Sequence, residues 1–457
     1  MNFQNQDDTI CALSTAAGMG AIALIRLTGD AAFAITEKVF TKKITDKTSH
    51  TAHFGKIMDG KDIIDEVLVT VFKNPASFTG EDSVEIACHG SIYIQEKILA
   101  LLLDNGARLA GPGEFSLRAF LNGKMDLSQT EAIADLISAN SKAAHQVAMH
   151  QMRGGFSEEI NVLRQELLNF ASLVELELDF SEEDVEFADR QQLVDLVNKV
   201  AAKTNSLLDS FSLGNVIKNG IPVAIVGSPN AGKSTLLNVL LNEDKAIVSE
   251  IAGTTRDVIE DTIVLNGVEF RFFDTAGIRI TDDKIENLGI ERAYQQIRKA
   301  RIVLLLIDLK EANAKDILKG LETFRDKTIS EEQIFIPVFN KIDTVDLKEY
   351  ALLKEEGLFI SAKHKTNLPD LIARLTETVA DFGEENQTII TNVRHFEILK
   401  KCKLSLIKVE EGLELQIPGD LLAMDIRESL RLLGEITGEI TSDDLLGNIF
   451  ANFCIGK

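Results

Sequence analysis

GSPNAGKST (residues 227–235) fits the pattern GxxxxGK[ST], and its surroundings decide what it is. The apolar run IPVAIVG (221–227) precedes it and TLLNVLLN (235–242) follows. Strand, glycine-rich turn and helix in that order are the context of a phosphate-binding loop. Gly227 and Gly232 permit tight turns that aim backbone N–H groups at phosphates, and the helix N-terminus adds positive potential. The candidate nucleotide loop is Asn230, Ala231, Gly232, Lys233, Ser234 and Thr235. Lys233 would reach the β- and γ-phosphates, and Ser234 would ligate Mg²⁺.

Moving outward, three more short motifs each end an apolar run. FRFFDTAG (270–277) offers Asp274 as an acid behind Mg²⁺ and the Gly277 N–H as a γ-phosphate sensor, with Thr275 and Ala276 between them. IFIPVFNKID (334–343) ends in Asn340, Lys341 and Asp343. A carboxylate there accepts from N1–H and the exocyclic amine of guanine, a donor pair adenine lacks, so the element selects GTP over ATP. Asn340 and Lys341 would brace the loop and cover the base. Ser361, Ala362 and Lys363 in ISAK (360–363) would bring backbone N–H groups to the guanine oxygen. Each tetrapeptide alone is a common strand-end turn. Four in order, each at the end of a predicted parallel strand, place a guanine-nucleotide-binding domain at about residues 220–380.

Between the first two motifs, SEIAGTTRD (249–257) falls where a switch loop belongs. It brings Ser249, Glu250, Ile251, Ala252, Gly253, Thr254 and Thr255 to the nucleotide, with Thr255 as the second candidate Mg²⁺ ligand. Ile278 follows DTAG, where many small GTPases carry a water-orienting Gln, so hydrolysis needs another group. Glu286 is the candidate, against the reading of a solvated acid. No arginine finger is evident; Asn230 and the carbonyl-rich turn Ser249–Thr254 could hold a monovalent cation instead.

The flanks differ in pattern. GAIALIRL (20–27), EVLVTVFK (66–73) and SVEIACHG (83–90) read as strands, and YIQEKILALLLDNG (93–106) as a helix stopped at Asn105-Gly106. From Leu127 to about Leu213 the pattern is helical, with Ser128 and Glu131 spaced as a capping box. It is helical again after residue 387. Helices on both sides of an α/β unit suggest an insertion into one helical domain.

With 457 residues, 45% hydrophobic, the chain is long enough for about three domains. No apolar run spans a bilayer, no signal sequence opens the chain, and the four cysteines form no CxxC pair, so a reduced cytoplasmic protein is expected. A net charge of −23 counts against a nucleic-acid-coating surface, leaves room for a local RNA contact, and would suit a basic partner as well as simple solubility. The last residues, Cys454-Ile455-Gly456-Lys457, outline a lipidation box, but they leave a helix with Ser442 as cap and Asp443 and Asp444 in its first turn. Leu445, Ile449 and Phe453 give that helix an apolar face, which predicts a docked position unsuited to prenylation.

PNAGKST, SEIAGTTRD, DTAGIR and NKID, taken with SFTGEDSVEI (77–86), GPGEFSLRAFLNGKMDLSQTEAIADLI (111–137) and the terminal GEITSDDLLGNIFANFCIGK, resemble the MnmE (TrmE) family of tRNA modification GTPases over essentially the whole chain. The resemblance implies an α/β multidomain chain: an α+β folate-binding and dimerisation domain (1–122), an all-α helical domain in two parts (123–217 and 382–457), and an inserted Ras-like P-loop G domain (218–381). It implies a homodimer that joins a flavoprotein partner of the MnmG (GidA) type in a heterotetramer. Together they would modify C5 of the wobble uridine of certain tRNAs with a carboxymethylaminomethyl-type group, using a 5-formyltetrahydrofolate-type one-carbon donor. Hydrolysis would depend on K⁺, held by Asn230, Ser249, Ile251 and Thr254, with Mg²⁺ on Ser234 and Thr255 and Glu286 as the catalytic acid. Arg26, Glu85, Lys124, Met125 and Lys457 fall on folate-associated positions, where cations suit carboxylates and Glu85 suits pterin N–H groups. Cys454 matches a terminal cysteine of the family and reads either as a participant in the modification chemistry or as an apolar filler. Two departures stand out: STAAGMGAIALIR (14–26) has neither the prolines nor the arginine usual there, and Ser249 replaces the commoner Thr. A ribosome-assembly GTPase would carry a basic RNA-binding module after the G domain, but the residues after 381 are acidic-to-neutral. A non-hydrolysing scaffold would have no need of Thr255 and Glu286.

Overall fold

The computed structural model describes residues 8–179, 190–244, 260–274, 297–331, 333–380, 388–415, 417–451, 453 and 456. The chain divides into two compact units. One comprises Met1–Ile137, Ala148–Thr204 and Glu397–Lys457; the other comprises Ser138–Val147 and Asn205–Phe396.

The first unit begins with a six-stranded sheet. Its strands are β1 (Ile10–Leu13), β2 (Ile22–Thr28), β3 (Thr51–Asp59), β4 (Asp62–Phe72), β5 (Ser83–His89) and β6 (Arg108–Leu109), in spatial order β3-β4-β5-β2-β1-β6. All pairs are antiparallel except β1 with β6. Strict alternation sets the two faces. Ile25, Ile86 and Val69 pair across three strands and are fully buried, in one core with residues of α1 (Ala32–Val39) and α2 (Ile92–Asp104). The next row, Arg26, Glu85 and Thr70, lies on the opposite face. The strand expected from Gly20 starts at Ile22, because Gly20 donates its N–H to the Gly90 carbonyl at 3.0 Å and turns the chain first. Helix α2 ends where Asn105-Gly106 predicts, with Gly106 at φ +111°.

Helices complete this unit. They are α3 (Glu114–Leu121), α4 (Leu127–Ser138), α5 (Lys142–Met152), α6 (Gly155–Asp179) and α7 (Arg190–Asn219), of which α5 begins in the second unit and α7 ends in it. The cap of α4 differs from the expected Ser128–Glu131 pair. The Gln129 N–H donates to Asp126 Oδ1, and the Asp126 N–H donates to Gln129 Oε1, both at 2.9 Å. The capping box is therefore Asp126–Gln129, and Ser128 lies inside the helix with its hydroxyl 2.6 Å from that of Ser157.

The second unit contains a sheet in the order β12-β11-β10-β7-β9-β8. The strands are β7 (Ile221–Gly227), β8 (Glu260–Leu265), β9 (Val268–Asp274), β10 (Ile302–Asp308), β11 (Ile334–Asn340) and β12 (Leu358–Phe359). Only the edge strand β8 runs antiparallel. Val223, Leu304 and Val338 are fully buried, as expected of central strands covered on both faces. α8 (Lys233–Asp244) contributes Leu236 and Leu240 to this core, α9 (Ala314–Thr328) seals a second apolar cluster, and α10 (Leu368–Ala380) adds Leu368, Leu371 and Leu375 at helical spacing. The parallel strands put their C-terminal ends along one edge, where open α/β sheets bind ligands.

Three helices close the chain: α11 (Val393–Glu414), α12 (Gly419–Thr437) and α13 (Asp443–Phe450). The segment of α6 packs along α12, so helical residues from before and after the nucleotide-loop sheet share one unit. In α13 the Leu445 N–H donates to the Ser442 hydroxyl at 3.3 Å, the predicted cap. Its deepest face is shifted by one residue from the expected Leu445–Ile449–Phe453 line. Leu446 and Phe450 are buried against Leu117 and Leu127, while Leu445, Ile449 and Phe453 are half-buried.

Candidate nucleotide site

At the C-terminal edge of the second sheet a cleft of about 640 Å³ is lined by Asn230, Gly232, Lys233, Ser234, Thr235, Asn340, Lys341, Asp343, Ser361, Ala362 and Lys363. Three segments predicted separately thus share one cavity. Pro229 and Thr344 line it too, although neither was singled out in the sequence.

The phosphate loop owes its shape to glycine at two places. A Cβ on Gly227 would come within 2.2 Å of the Leu306 carbonyl oxygen on the adjoining β10. Gly232 adopts φ +102°, and a Cβ there would meet Asn340 Nδ2 at 2.4 Å. Asn230 also takes a left-handed turn, φ 65°, a conformation Asn tolerates better than most residues. Lys233 opens α8, and its ammonium donates to the carbonyls of Gly227 and Ser228, each at 2.8 Å. Ser234 and Thr235 are in the first turn of that helix.

Asn340 is the fastening between the segments. Its amide donates to the Ala231 carbonyl at 2.8 Å, and its carbonyl oxygen accepts the Ala362 N–H at 3.0 Å. The side chain is buried, and the phosphate loop is thereby tied to the ISAK turn through one residue of β11. Lys341 follows in left-handed backbone, φ 66°, and its ammonium donates to Asp308 Oδ2. The next turn carries Asp343. Its Oδ1 accepts the Ser361 hydroxyl at 2.6 Å, a bond that holds the carboxyl below the usual carboxylate range. His364 Nε2 lies 3.6 Å from the other oxygen. A carboxylate oriented this way keeps acceptor capacity for a planar donor pair.

Two residues the sequence reading missed reinforce the cleft. Asp308, the last residue of β10, carries the Lys341 contact, and Glu311 accepts the Ser228 hydroxyl at 2.7 Å. An acid closing the apolar run IVLLLID was the available signal.

The other candidate residues lie elsewhere. In the first unit Arg26 donates through Nε and an Nη to a single Glu85 oxygen, Oε1, at 3.0 and 2.7 Å. Glu85 Oε2 has no partner among the described residues. The Arg26 guanidinium lies over the rings of Phe78 and Phe115, 5.5 and 5.8 Å from their centroids. Lys124 donates to the Pro75 carbonyl at 2.9 Å, with its aliphatic chain along Gly80. Met125 beside it is half-buried. Lys124, through Pro75 and Gly80, and Arg26 with its partner Glu85, through Phe78, border the loop 74–82, and the exposed Phe78 adds one aromatic face, a set that fits a polar-edged ligand bearing a carboxylate. Ser249, Glu250, Ile251, Ala252, Gly253, Thr254, Thr255, Thr275, Ala276, Gly277, Glu286, Cys454 and Lys457 lie outside the described residues, as does the side chain of Asp274 at the end of β9. Among the described residues no cluster of His, Cys, Asp and Glu forms a metal site, and no helix is long and apolar enough to cross a membrane.

Comparison with known proteins adds an independent line. Residues 127–454 match the family model "MnmE helical domain", and residues 9–124 match "GTP-binding protein TrmE N-terminus". The tRNA modification GTPase MnmE of Flavobacterium psychrophilum is 54% identical over 458 residues, covering 98% of this chain and 99% of that protein. The protein of the same name from Cytophaga hutchinsonii is 53% identical over 460 residues, covering 99% and 98%. Among solved structures, a variant of Aquifex aeolicus Era bound to GDP·AlF4⁻ aligns at 29% identity and a TM-score of 0.27, over 40% of this chain and 66% of that one; a superposition this loose carries no weight.

Proposed function

Because the chain belongs to the MnmE family of tRNA modification GTPases, we propose that it hydrolyses GTP in the cleft of the second unit and acts in tRNA modification. The single observation that carries this reading is the shared cleft: phosphate loop, NKID and ISAK line one cavity, and Asp343 is aligned by Ser361. The finer assignments are ours. GTP lies with its phosphates on residues 230–235 and its base on Asp343, Ser361, Ala362 and Lys363. Mg²⁺ is held by Ser234 and Thr255, with Asp274 behind, and neutralises charge on the phosphates. K⁺ sits on Asn230, Ser249, Ile251 and Thr254 in place of an arginine finger, and Glu286 orients the attacking water.

A reduced folate of the 5-formyl type binds at Arg26, Glu85, Lys124, Met125 and Lys457 and supplies the one-carbon unit. The Arg26–Glu85 pair supports this with one carboxylate oxygen still able to accept. The chain works as a homodimer with an MnmG-type flavoprotein on wobble uridine, in the cytoplasm. Cys454 takes part in the modification. Residues 1–122, 123–217 with 382–457, and 218–381 are its folate, helical and G domains.

The test is guanine selectivity. Asp343→Asn is expected to abolish the preference for guanine over xanthine nucleotides in competition binding. Unchanged competition would remove the cleft as the guanine site. Hydrolysis much faster in KCl than in NaCl is expected for the cation assignment, and equal rates at matched ionic strength would exclude it.

A further inference from the structure

We propose that Asp308 is a positioning residue of the guanine-recognition loop: it anchors Lys341 and through it sets where Asp343 stands. The inference rests on the cleft being the guanine-nucleotide site.

Asp308 ends β10 directly across from Asn340, its register partner on β11. Its side chain is 5% exposed, a costly place for a carboxylate unless each oxygen has a donor. Each does. Oδ1 accepts the Lys310 N–H at 3.0 Å, which closes a tight turn, and Oδ2 accepts the Lys341 ammonium. Lys341 needs this hold. Its backbone is left-handed, φ 66° and ψ 36°, an unfavourable state for a residue with a Cβ. The turn Ile342–Thr344 follows at once and carries Asp343. An anchored Lys341 side chain therefore resists the backbone relaxation that would swing Asp343 away from Ser361. The same short segment reaches the other end of the cleft. The Glu311 N–H donates to the Asp308 carbonyl at 3.1 Å, and the Glu311 carboxylate accepts the Ser228 hydroxyl of the phosphate loop. Residues 308–311 thus brace both the base end and the phosphate end of the cleft, although none of them lines it.

The experiment measures release of fluorescent GDP and of fluorescent inosine diphosphate from the full chain, in wild type, Asp308→Asn, Lys341→Met and the double variant. Asn keeps the Oδ1 acceptor for Lys310, so the turn is retained. Asp308→Asn is expected to speed GDP release about tenfold, the loss of one hydrogen bond between charged groups. Inosine lacks the exocyclic amine and makes only one bond to Asp343, so its release should accelerate less and the GDP preference should narrow. The double variant should release GDP no faster than Lys341→Met alone. Unchanged GDP release, equal acceleration for both nucleotides, or a double variant whose factor is the product of the singles would each overturn the assignment. Lys341→Met leaves Asp308 in place and must narrow the preference by itself; if it does not, the link fails without reference to Asp308→Asn. Failure of the wild type to bind GDP would instead remove the underlying reading of the cleft.

Discussion

Replacing Asn340 tests whether the cleft is held together as its geometry says. The amide orientation is dictated by its partners, since it must donate to a carbonyl and accept from an N–H. Asn340→Ala would strand two buried backbone groups, the Ala231 carbonyl and the Ala362 N–H, in residues that are 0% and 1% exposed. Leaving a buried polar group unpaired costs about 1–3 kcal/mol, so the pair amounts to about 2–6 kcal/mol before relaxation, and water entering from the cleft brings the expected figure to about 3 kcal/mol. At about 1.4 kcal/mol per decade that is about a hundredfold. Hydrogen exchange read by mass spectrometry is the assay. The Ala362 amide should exchange about a hundredfold faster in Asn340→Ala, with peptides from residues 9–124 unchanged. Asn340→Asp divides the two bonds. Its carboxylate still accepts from Ala362 but sets oxygen against the Ala231 carbonyl, so Ala362 stays protected while the phosphate loop loosens. Unaltered Ala362 protection in the Ala variant, or equal loss in both variants, would refute the argument.

Three further outcomes are expected. Asp8 is held below the usual carboxylate range by Arg108; Glu114, which burial alone would push up, is also held low, chiefly by Arg108. Both folded values are depressed, so their stabilisation is complete above the unfolded values of about 3.9 and 4.3 and is lost as pH falls through that range and below. Urea midpoints of the first unit should therefore drop on acidification, and Glu114→Gln should flatten that slope; an identical slope in the variant would show that the cluster does not govern acid stability. Arg118 is 5% exposed and bonded to Asp8, Glu81 and Glu114, so Arg118→Met should destabilise the first unit by about 3 kcal/mol in denaturant titration, and a loss under about 1 kcal/mol would contradict this. Burial pushes the thiols of Cys11 and Cys88 up to about 11 and that of Cys402 up to about 12, so native protein treated with iodoacetamide at neutral pH should stay unmodified at all three by peptide mass spectrometry.

The nucleotide unit was largely legible because its chemistry sits at strand ends. Apolar runs with β-branched residues fix β7 and β11; the β11 run stops at Asn340, which lines the cleft, and the turn after β7 leads into Pro229 and Asn230, which line it as well. What escaped was the support. Asp308 and Glu311 act through partners 33 and 83 residues away, and no periodicity encodes such a pairing. The Asp126 cap was hidden because Ser128–Glu131 offers the same spacing two residues later; the choice fell to Asp126 once packing joined the Ser128 hydroxyl to Ser157. The hairpin of β3 and β4 was only half seen. β3 includes His53, Gly55 and Lys56 and shows little alternation, so its strand character comes from pairing with β4. The α13 face was misjudged by one residue because Leu445 and Leu446 compete, and the shape of the Leu117–Leu127 surface decides between them.

The tie at Gly456 bears on how the molecule is made. The Ser14 hydroxyl donates to the Gly456 carbonyl at 3.0 Å, across 442 residues of chain. A Cβ on Gly456 would stand 2.3 Å from the Leu13 carbonyl oxygen, and one on Gly113 would stand 2.8 Å from Phe453. During vectorial synthesis the strands of the first sheet leave the ribosome long before these closing residues do. At about 5–20 residues per second, the first unit waits on the order of half a minute for its last wall. Over that interval the apolar surface around Leu117 and Leu127 has no α13 to cover it, which makes the nascent chain a natural client for holding chaperones and makes late truncations costlier than their few residues suggest.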